Sequence, residues 1–307
     1  MVPPSLYEMG VKGLYTYLRK YRRNISTQTI PSTPLLRIGV DAMSMLYKYK
    51  SAYADMYANL KEMKDNGHII IFVFDGEAPV EKEAAVKERR DARQGATDQA
   101  TVLKEHLSMA IISDKERKIL EYSVERLEFQ GWHMSREIRH EFQNELSKMS
   151  IPFIKAIHEA DDVLIDLAAA GKLDVIVSAD MDFVISGAKR LWIPFRNSYD
   201  GFEEIVIDDV IDGEGIDRAA LLDAGILCGV EPLRGHLNTT PSTAFAWMRY
   251  YKSIENLLNS SVQYKQLDSV RDPLVLESVR NHFKPHPWDS RIRSTNLEMY
   301  KSFLDTL

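Results

Sequence analysis

Two short apolar runs near the N-terminus each close on an aspartate. Residues 35–41 (LLRIGVD) read as a buried strand. Residues 68–75 (HIIIFVFD) read as a stronger one, rich in β-branched and aromatic side chains and bounded by Asn66-Gly67 and Gly76. Between them, residues 42–64 carry apolar and aromatic positions at helical spacing, which predicts a strand–helix–strand unit and a parallel sheet. Residues 80–148 change character: rich in Glu, Lys, Arg and Gln and without a strand signal, they predict a long helical insertion leaving the sheet after its second strand. Within it, Ile119, Leu120, Tyr122, Val124 and Leu127 form a single apolar stripe. Residues 159–170 read as a helix stopped by Gly171. A third strand is predicted at 173–178, a fourth at 190–195 and a fifth at 204–207. Residues 215–258 read as helical around a Gly/Pro/Thr-rich turn at 229–241, and the tail as irregular apart from a helix over 294–305. The fold class is α/β, with a mixed, mostly parallel central sheet flanked by helices.

A length of 307 residues allows one large or two modest domains with an ample core. Apolar residues at 45% and charged residues at 27% place the chain among ordinary globular proteins. No apolar run approaches the ~18 residues a membrane span needs, and the start lacks the basic and apolar regions of a secretion signal. Cys228 is the only cysteine, which excludes internal disulfides and multi-thiolate zinc sites and fits a reducing, intracellular setting, nucleus or cytoplasm. The net charge of −6 argues, taken alone, against a generic nucleic-acid binder.

The positions of the acids change that picture. Asp41 and Asp75 close the first two strands, and Asp180 and Asp182 follow the third. In an open parallel sheet these carboxyl ends line one crevice. Glu159 and Asp161 open a helix leading to the same edge, and Glu231 ends the run Cys228-Gly-Val-Glu231. Each acid alone reads first as a turn former or cap, the reading given to Asp162, Asp208, Asp209 and Asp212. Together they need cations, since crowded carboxylates raise one another's pKa. Oxygen-only ligands suit magnesium, and two such ions about 4 Å apart serve in-line phosphodiester hydrolysis. With the seven acids set aside the rest of the chain stands at +1, so a nucleic-acid substrate is not excluded.

The ordered pieces Met9-Gly-Val-Lys-Gly-Leu14, Val40-Asp-Ala-Met-Ser44, Val73-Phe-Asp-Gly-Glu-Ala-Pro79, His158-Glu-Ala-Asp161, Ser178-Ala-Asp-Met-Asp182, Gly225-Ile-Leu-Cys-Gly229 and Tyr251-Lys-Ser-Ile-Glu-Asn-Leu257 carry a resemblance. In them the chain resembles the flap endonuclease/XPG family of structure-specific 5′ nucleases, over most of residues 9–258. The resemblance implies a PIN-like nuclease core with a helical arch at 80–148 and a duplex-binding, helix–two-turn–helix-like region at 215–258. Residues 1–8 would be a leader or tag, and 259–307 a tail packing on the core. It implies Asp41, Asp75, Glu159 and Asp161 around one Mg2+ and Asp180, Asp182 and Glu231 around a second, with Mn2+ able to substitute. Lys82 and Arg89 would stabilise charge on the scissile phosphate, although Glu81, Glu83 and Glu88 are interleaved with them as on an ordinary solvated helix. Nucleic acid would be held by Gly10, Tyr47, Arg90, Arg93, Gly229, Gly235, Thr239 and Thr240. Tyr47 would stack on a base or else pack in the core, and the threonines would bind phosphate or simply cap the next helix.

This sequence departs from the family in having Glu231 for the usual aspartate and an altered turn after Gly235. It carries no sliding-clamp peptide near the C-terminus. The implied activity is metal-dependent cleavage of DNA at single-strand/duplex junctions by a monomer, as a 5′ flap endonuclease or 5′→3′ exonuclease. RNA cleavage within the same superfamily and a silent scaffold are the alternatives. A phosphatase would need an aspartate where Val73 stands.

Overall fold

The structure, a computed structural model, describes residues 10–21, 25–28, 34–50, 52–78, 83–109, 112–194, 201–233, 237, 239–260 and 265–307. Helix α1 (Leu14–Tyr21) is followed by strands β1 (Ile25–Gln28) and β2 (Arg37–Asp41), helices α2 (Ala42–Tyr49) and α3 (Tyr53–Asp65), and β3 (Ile69–Phe74). Three helices come next: α4 (Glu83–Met109), α5 (Asp114–Gly131) and α6 (Arg136–Lys148). The chain continues through β4 (Phe153–Lys155), α7 (Ala160–Ala169), β5 (Val175–Val177), α8 (Asp182–Ile185), β6 (Arg190–Pro194) and β7 (Phe202–Val206). Helices α9 (Ile207–Glu214), α10 (Arg218–Cys228), α11 (Pro241–Tyr251), α12 (Ile254–Leu258), α13 (Pro273–His282) and α14 (Ser294–Thr306) complete it. Among the described residues no helix is long and apolar enough to cross a membrane.

The seven strands form one sheet in the order β1-β7-β6-β5-β2-β3-β4. The five from β6 to β4 are parallel, and β7 and β1 continue the sheet antiparallel at one edge. The central strands are buried along their length, including Ile38, Val40, Phe72, Val73, Ile176 and Leu191, as a parallel sheet covered on both faces requires. The described residues divide into two compact units, 77–145 on the one hand and 10–76 with 146–307 on the other. In the first, Ala96, Ala100 and Leu127 bury one another, and a Ser113–Glu116 capping box opens α5. In the second, the segment before α14 braces the sheet edge and α7. Arg293 N donates to Lys155 O at 3.2 Å, His286 N to Asp166 Oδ1 at 2.6 Å, and Arg291 pairs with Asp162 at 3.1 Å.

Several expectations need correction. β1 and β4 carry no legible strand signal because four and three residues are too few to display a period. The third predicted strand is the fifth in the chain and shrinks to Val175–Val177. The stretch 42–64 is two helices rather than one. In the apolar stripe of α5, Val124 and Leu127 are buried but Ile119 and Tyr122 are 57% and 47% exposed. The tail expected to be irregular contains α13, where Pro273 follows the capping Asp272 and so starts a helix instead of preventing one.

Candidate active site

After β3 and β4 the chain returns to lay β5 on the other side of β2, so the carboxyl ends of β2 and β5 part around a crevice. Asp41 ends β2 and caps α2, its Oδ1 accepting the amides of Met43 and Ser44 at 3.0 Å each. Its Oδ2 accepts the hydroxyl of Ser178 at 2.9 Å, and the same Oγ accepts Asp180 N at 3.1 Å. Asp180 Oδ1 in turn accepts Asp182 N at 2.9 Å. Ser44 Oγ accepts Ala179 N at 2.8 Å, joining α2 to the loop that carries both acids. Beyond β3, Asp75 Oδ1 accepts Ala160 N at 2.9 Å, the first amide of α7. Glu159 occupies the N-cap position of that helix and Asp161 its first turn, where the helix dipole favours negative charge.

The electrostatics bind these residues into one group. Burial first, then the charge of Asp75 and further that of Asp180, push the Asp41 carboxyl up to about 7, against the pull of its bonds from Ser44 and Ser178. Asp161 is raised well above the usual carboxylate range, by burial first and then by Asp41, Asp180, Asp75 and Glu159. Five of the seven acids read from the sequence thus belong to one cluster, with Asp75, Asp180 and Glu159 acting on Asp41 and Asp161. An oxygen-only set with surplus negative charge fits a hard divalent cation. The fit is one of chemistry and not of a finished cage: among the described residues no three His, Cys, Asp or Glu side chains are grouped so as to hold a metal ion.

The other acids and binding residues lie as follows. Asp182 sits beside Asp180, and both press on Gly10. At φ +74° a Cβ on Gly10 would overlap the Asp180 carboxylate and lie 2.6 Å from Asp182 N and Oδ1. Glu231 opens a 3₁₀ turn, Glu231–Leu233, beyond Gly229, whose carbonyl accepts Lys12 N at 3.4 Å. Tyr47 is partly exposed on α2, with the Lys50 ammonium 6.0 Å from its ring. Thr240 caps α11, accepting Thr243 N at 3.4 Å, while Thr239 is buried. Arg90 and Arg93 are on α4; Arg90 is exposed, 3.9 Å from its neighbour Asp91. Lys82, Gly235 and the side chain of Arg89 lie outside the described residues.

Ser44 and Ser178 are site residues that the sequence reading did not single out. Both stand inside the quoted motifs. A hydroxyl two or three residues from a strand-end aspartate was the available signal.

Known proteins resemble this chain in sequence and in fold. Residues 150–231 match the XPG I-region family. Flap endonuclease 1 of Entamoeba histolytica is 27% identical over 282 residues, covering 84% of this chain and 72% of its own length. Flap endonuclease 1 of Neurospora crassa is 30% identical over 272 residues, covering 81% of this chain and 66% of its own. In fold, the catalytic core of Rad2 in complex with DNA substrate superposes with a TM-score of 0.58 at 16% identity, covering 97% of this chain and 94% of that one. With its acids at the carboxyl ends of the same parallel strands that the quoted motifs anticipate, the chain belongs to the flap endonuclease/XPG family of nucleases.

Proposed function

We propose that this protein is a divalent-metal-dependent nuclease cutting DNA at single-strand/duplex junctions, as a 5′ flap endonuclease, a 5′→3′ exonuclease or both. The observation that carries the reading is the crevice in which burial and the charges of Asp75 and Asp180 raise the proton affinity of Asp41, and burial with Asp41, Asp180, Asp75 and Glu159 raises that of Asp161. Asp41, Asp75, Glu159 and Asp161 would hold one cation and Asp180, Asp182 and Glu231 a second, with Mg2+ as the natural ion and Mn2+ as a substitute. When bound, such ions supply Lewis acidity toward the phosphate and lower the pKa of water.

The chain's own residues do the rest. Ser178 and Ser44 lock the Asp41 and Asp180 loops together, so the acids keep their spacing while substrate enters. Ala160 N, at the head of α7, holds Asp75. Lys82 and Arg89 would stabilise charge on the scissile phosphate, and Arg90 and Arg93 would contact the strand leading to it. Tyr47 would offer a ring face to a frayed base. The capped N-terminus of α11 would take a duplex phosphate, with Gly229, Gly235 and Thr239 shaping the turn before it. The helices of residues 80–148 would gate the single strand.

The test is digestion of a labelled panel (5′ flap, gapped flap, nicked, blunt, bubble, four-way junction and structured RNA) in Mg2+ and in EDTA, with Asp180→Ala alongside. Mg2+-dependent cleavage confined to junction DNA and lost in Asp180→Ala supports the reading. Cleavage of RNA alone, or none with any substrate, overturns it.

A further inference from the structure

Residues 10–17 touch the loop that carries Asp180 and Asp182 and the turn two residues before Glu231, and they also touch α11. Gly10 abuts the Asp180 and Asp182 carboxylates with no room for a side chain. Lys12 N reaches Gly229 O, in the turn leading to Glu231. Gly13 faces Pro241, the first residue of α11, whose ring atoms would lie 3.6 Å from a Cβ placed on that glycine.

One turn further, the Tyr17 ring stacks on Phe245 of α11, centroids 5.2 Å apart and planes inclined by 17°. The Tyr17 hydroxyl donates to Glu214 Oε1 at 3.1 Å, and Glu214 Oε2 accepts Arg249 of the same helix α11 at 2.5 Å. On another face of α1, Tyr15 donates to Glu203 at 2.5 Å, and Arg19 pairs with that carboxylate at 3.2 Å. Glu214 is 1% exposed and Glu203 7%. Buried carboxylates are expensive, and packing alone is served equally well by apolar residues of the same volume. Two of them, each gripped by a tyrosine of α1, fix the rotation and axial position of that helix, and so the height of Gly10 against Asp180.

We infer that Tyr17, Glu214 and Arg249 are positioning residues that tie α11 to the Gly10 contact, so that a duplex docking on α11 tightens cation binding at Asp180 and Asp182. The inference rests on the proposed function for the role of α11 and of the two acids. Linkage requires the effect to be reciprocal, with the cation tightening duplex binding by the same factor.

The experiment measures Mn2+ binding to the full chain by the paramagnetic resonance of free Mn2+, with and without a blunt DNA duplex. It compares the unmodified protein with Tyr17→Phe, Arg249→Gln and Asp180→Ala. Tyr17→Phe keeps the ring stack and removes the hydroxyl that bonds Glu214; Arg249 is 40% exposed, so its replacement gives a second route should the first variant fold poorly. Duplex is expected to tighten Mn2+ binding in the unmodified protein. Tyr17→Phe and Arg249→Gln are expected to reduce that tightening about fivefold, equivalent to about 1 kcal/mol of coupling, and by the same linkage to weaken duplex binding about fivefold in Mn2+ while leaving it unchanged in EDTA. Variants that melt earlier yet keep the full duplex effect would show mere packing and overturn the inference, as would an unmodified protein whose Mn2+ affinity ignores duplex. Absence of any Mn2+ site sensitive to Asp180→Ala would instead strike the metal-dependent reading itself.

Discussion

Asp41 concentrates the cost of crowding acids into one crevice. Its carboxyl is pushed up to about 7 in the folded chain, by burial and then by Asp75. An unfolded aspartate titrates near ~3.9. Between these two values the folded chain binds more protons than the unfolded one, so this residue's contribution to stability declines as pH rises from about 4 to 7. Roughly three pH units at ~1.36 kcal/mol each set a ceiling of about 4 kcal/mol, lost by neutral pH when no divalent cation is present. Asparagine removes the charge but keeps an amide oxygen for the Met43 and Ser44 amides. Asp41→Asn is therefore expected to raise the melting temperature in EDTA at pH 8 by several degrees, at roughly 2–4 °C per kcal/mol. The gain should vanish near pH 4. Added Mg2+ should stabilise the unmodified protein by mass action and leave the Asn variant nearly unmoved. Scanning calorimetry at pH 5, 6.5 and 8, with and without Mg2+, reads all of this. An Asn variant less stable than the unmodified protein at pH 8 in EDTA would refute the reasoning, because a crevice short of positive charge must gain from losing a negative one.

Three further outcomes are expected. Arg280→Met leaves the buried Asp223 carboxylate without the guanidinium that bonds it at 2.8 and 2.6 Å, and should cost about 3–5 kcal/mol in urea unfolding; a loss below ~1 kcal/mol would show that the pair is not needed. The same guanidinium holds Glu255 at about 2, so the stability that Glu255 contributes is present above about pH 4.3 and fades as pH falls through 2; in Arg280→Met that acid-dependent loss should largely disappear in stability measured against pH by urea unfolding. Gly10→Ala, which forces a methyl group into the Asp180 carboxylate at φ +74°, should eliminate cleavage and diminish the Mg2+ thermal shift while the far-ultraviolet spectrum stays native; an undiminished Mg2+ shift would count against the contact. Lys82→Ala should lower single-turnover rates ~10²–10³-fold, as the loss of one charge-stabilising donor does elsewhere, and an unchanged rate removes Lys82 from the machinery.

The strand ends bearing Asp41 and Asp75, and the helix opened by Glu159 and Asp161, were legible because local pattern sets them: an apolar run, a polar stop, a helical period. β1 and β4 escaped notice because an edge strand of three or four residues exists through pairing with a neighbour distant in sequence. α13 was missed because a proline count ignores where the proline stands relative to its cap. Glu203, Glu204 and Glu214 look like surface residues in the sequence, yet each is buried against partners no local window contains. For Glu204 these are Arg190 Nε at 2.8 Å and Trp192 Nε1 at 2.9 Å.

Read by itself, the order of amino acids determined a parallel sheet with acids at successive strand ends, because alternation, caps and breakers act within a few residues. Only the folded chain decided that Ser178 ties Asp41 to Asp180, that Gly10 must lack a side chain, and that α1 hangs on two buried glutamates. Those outcomes depend on distance and desolvation between segments far apart in the chain, and both exist only once the sheet has brought the segments together.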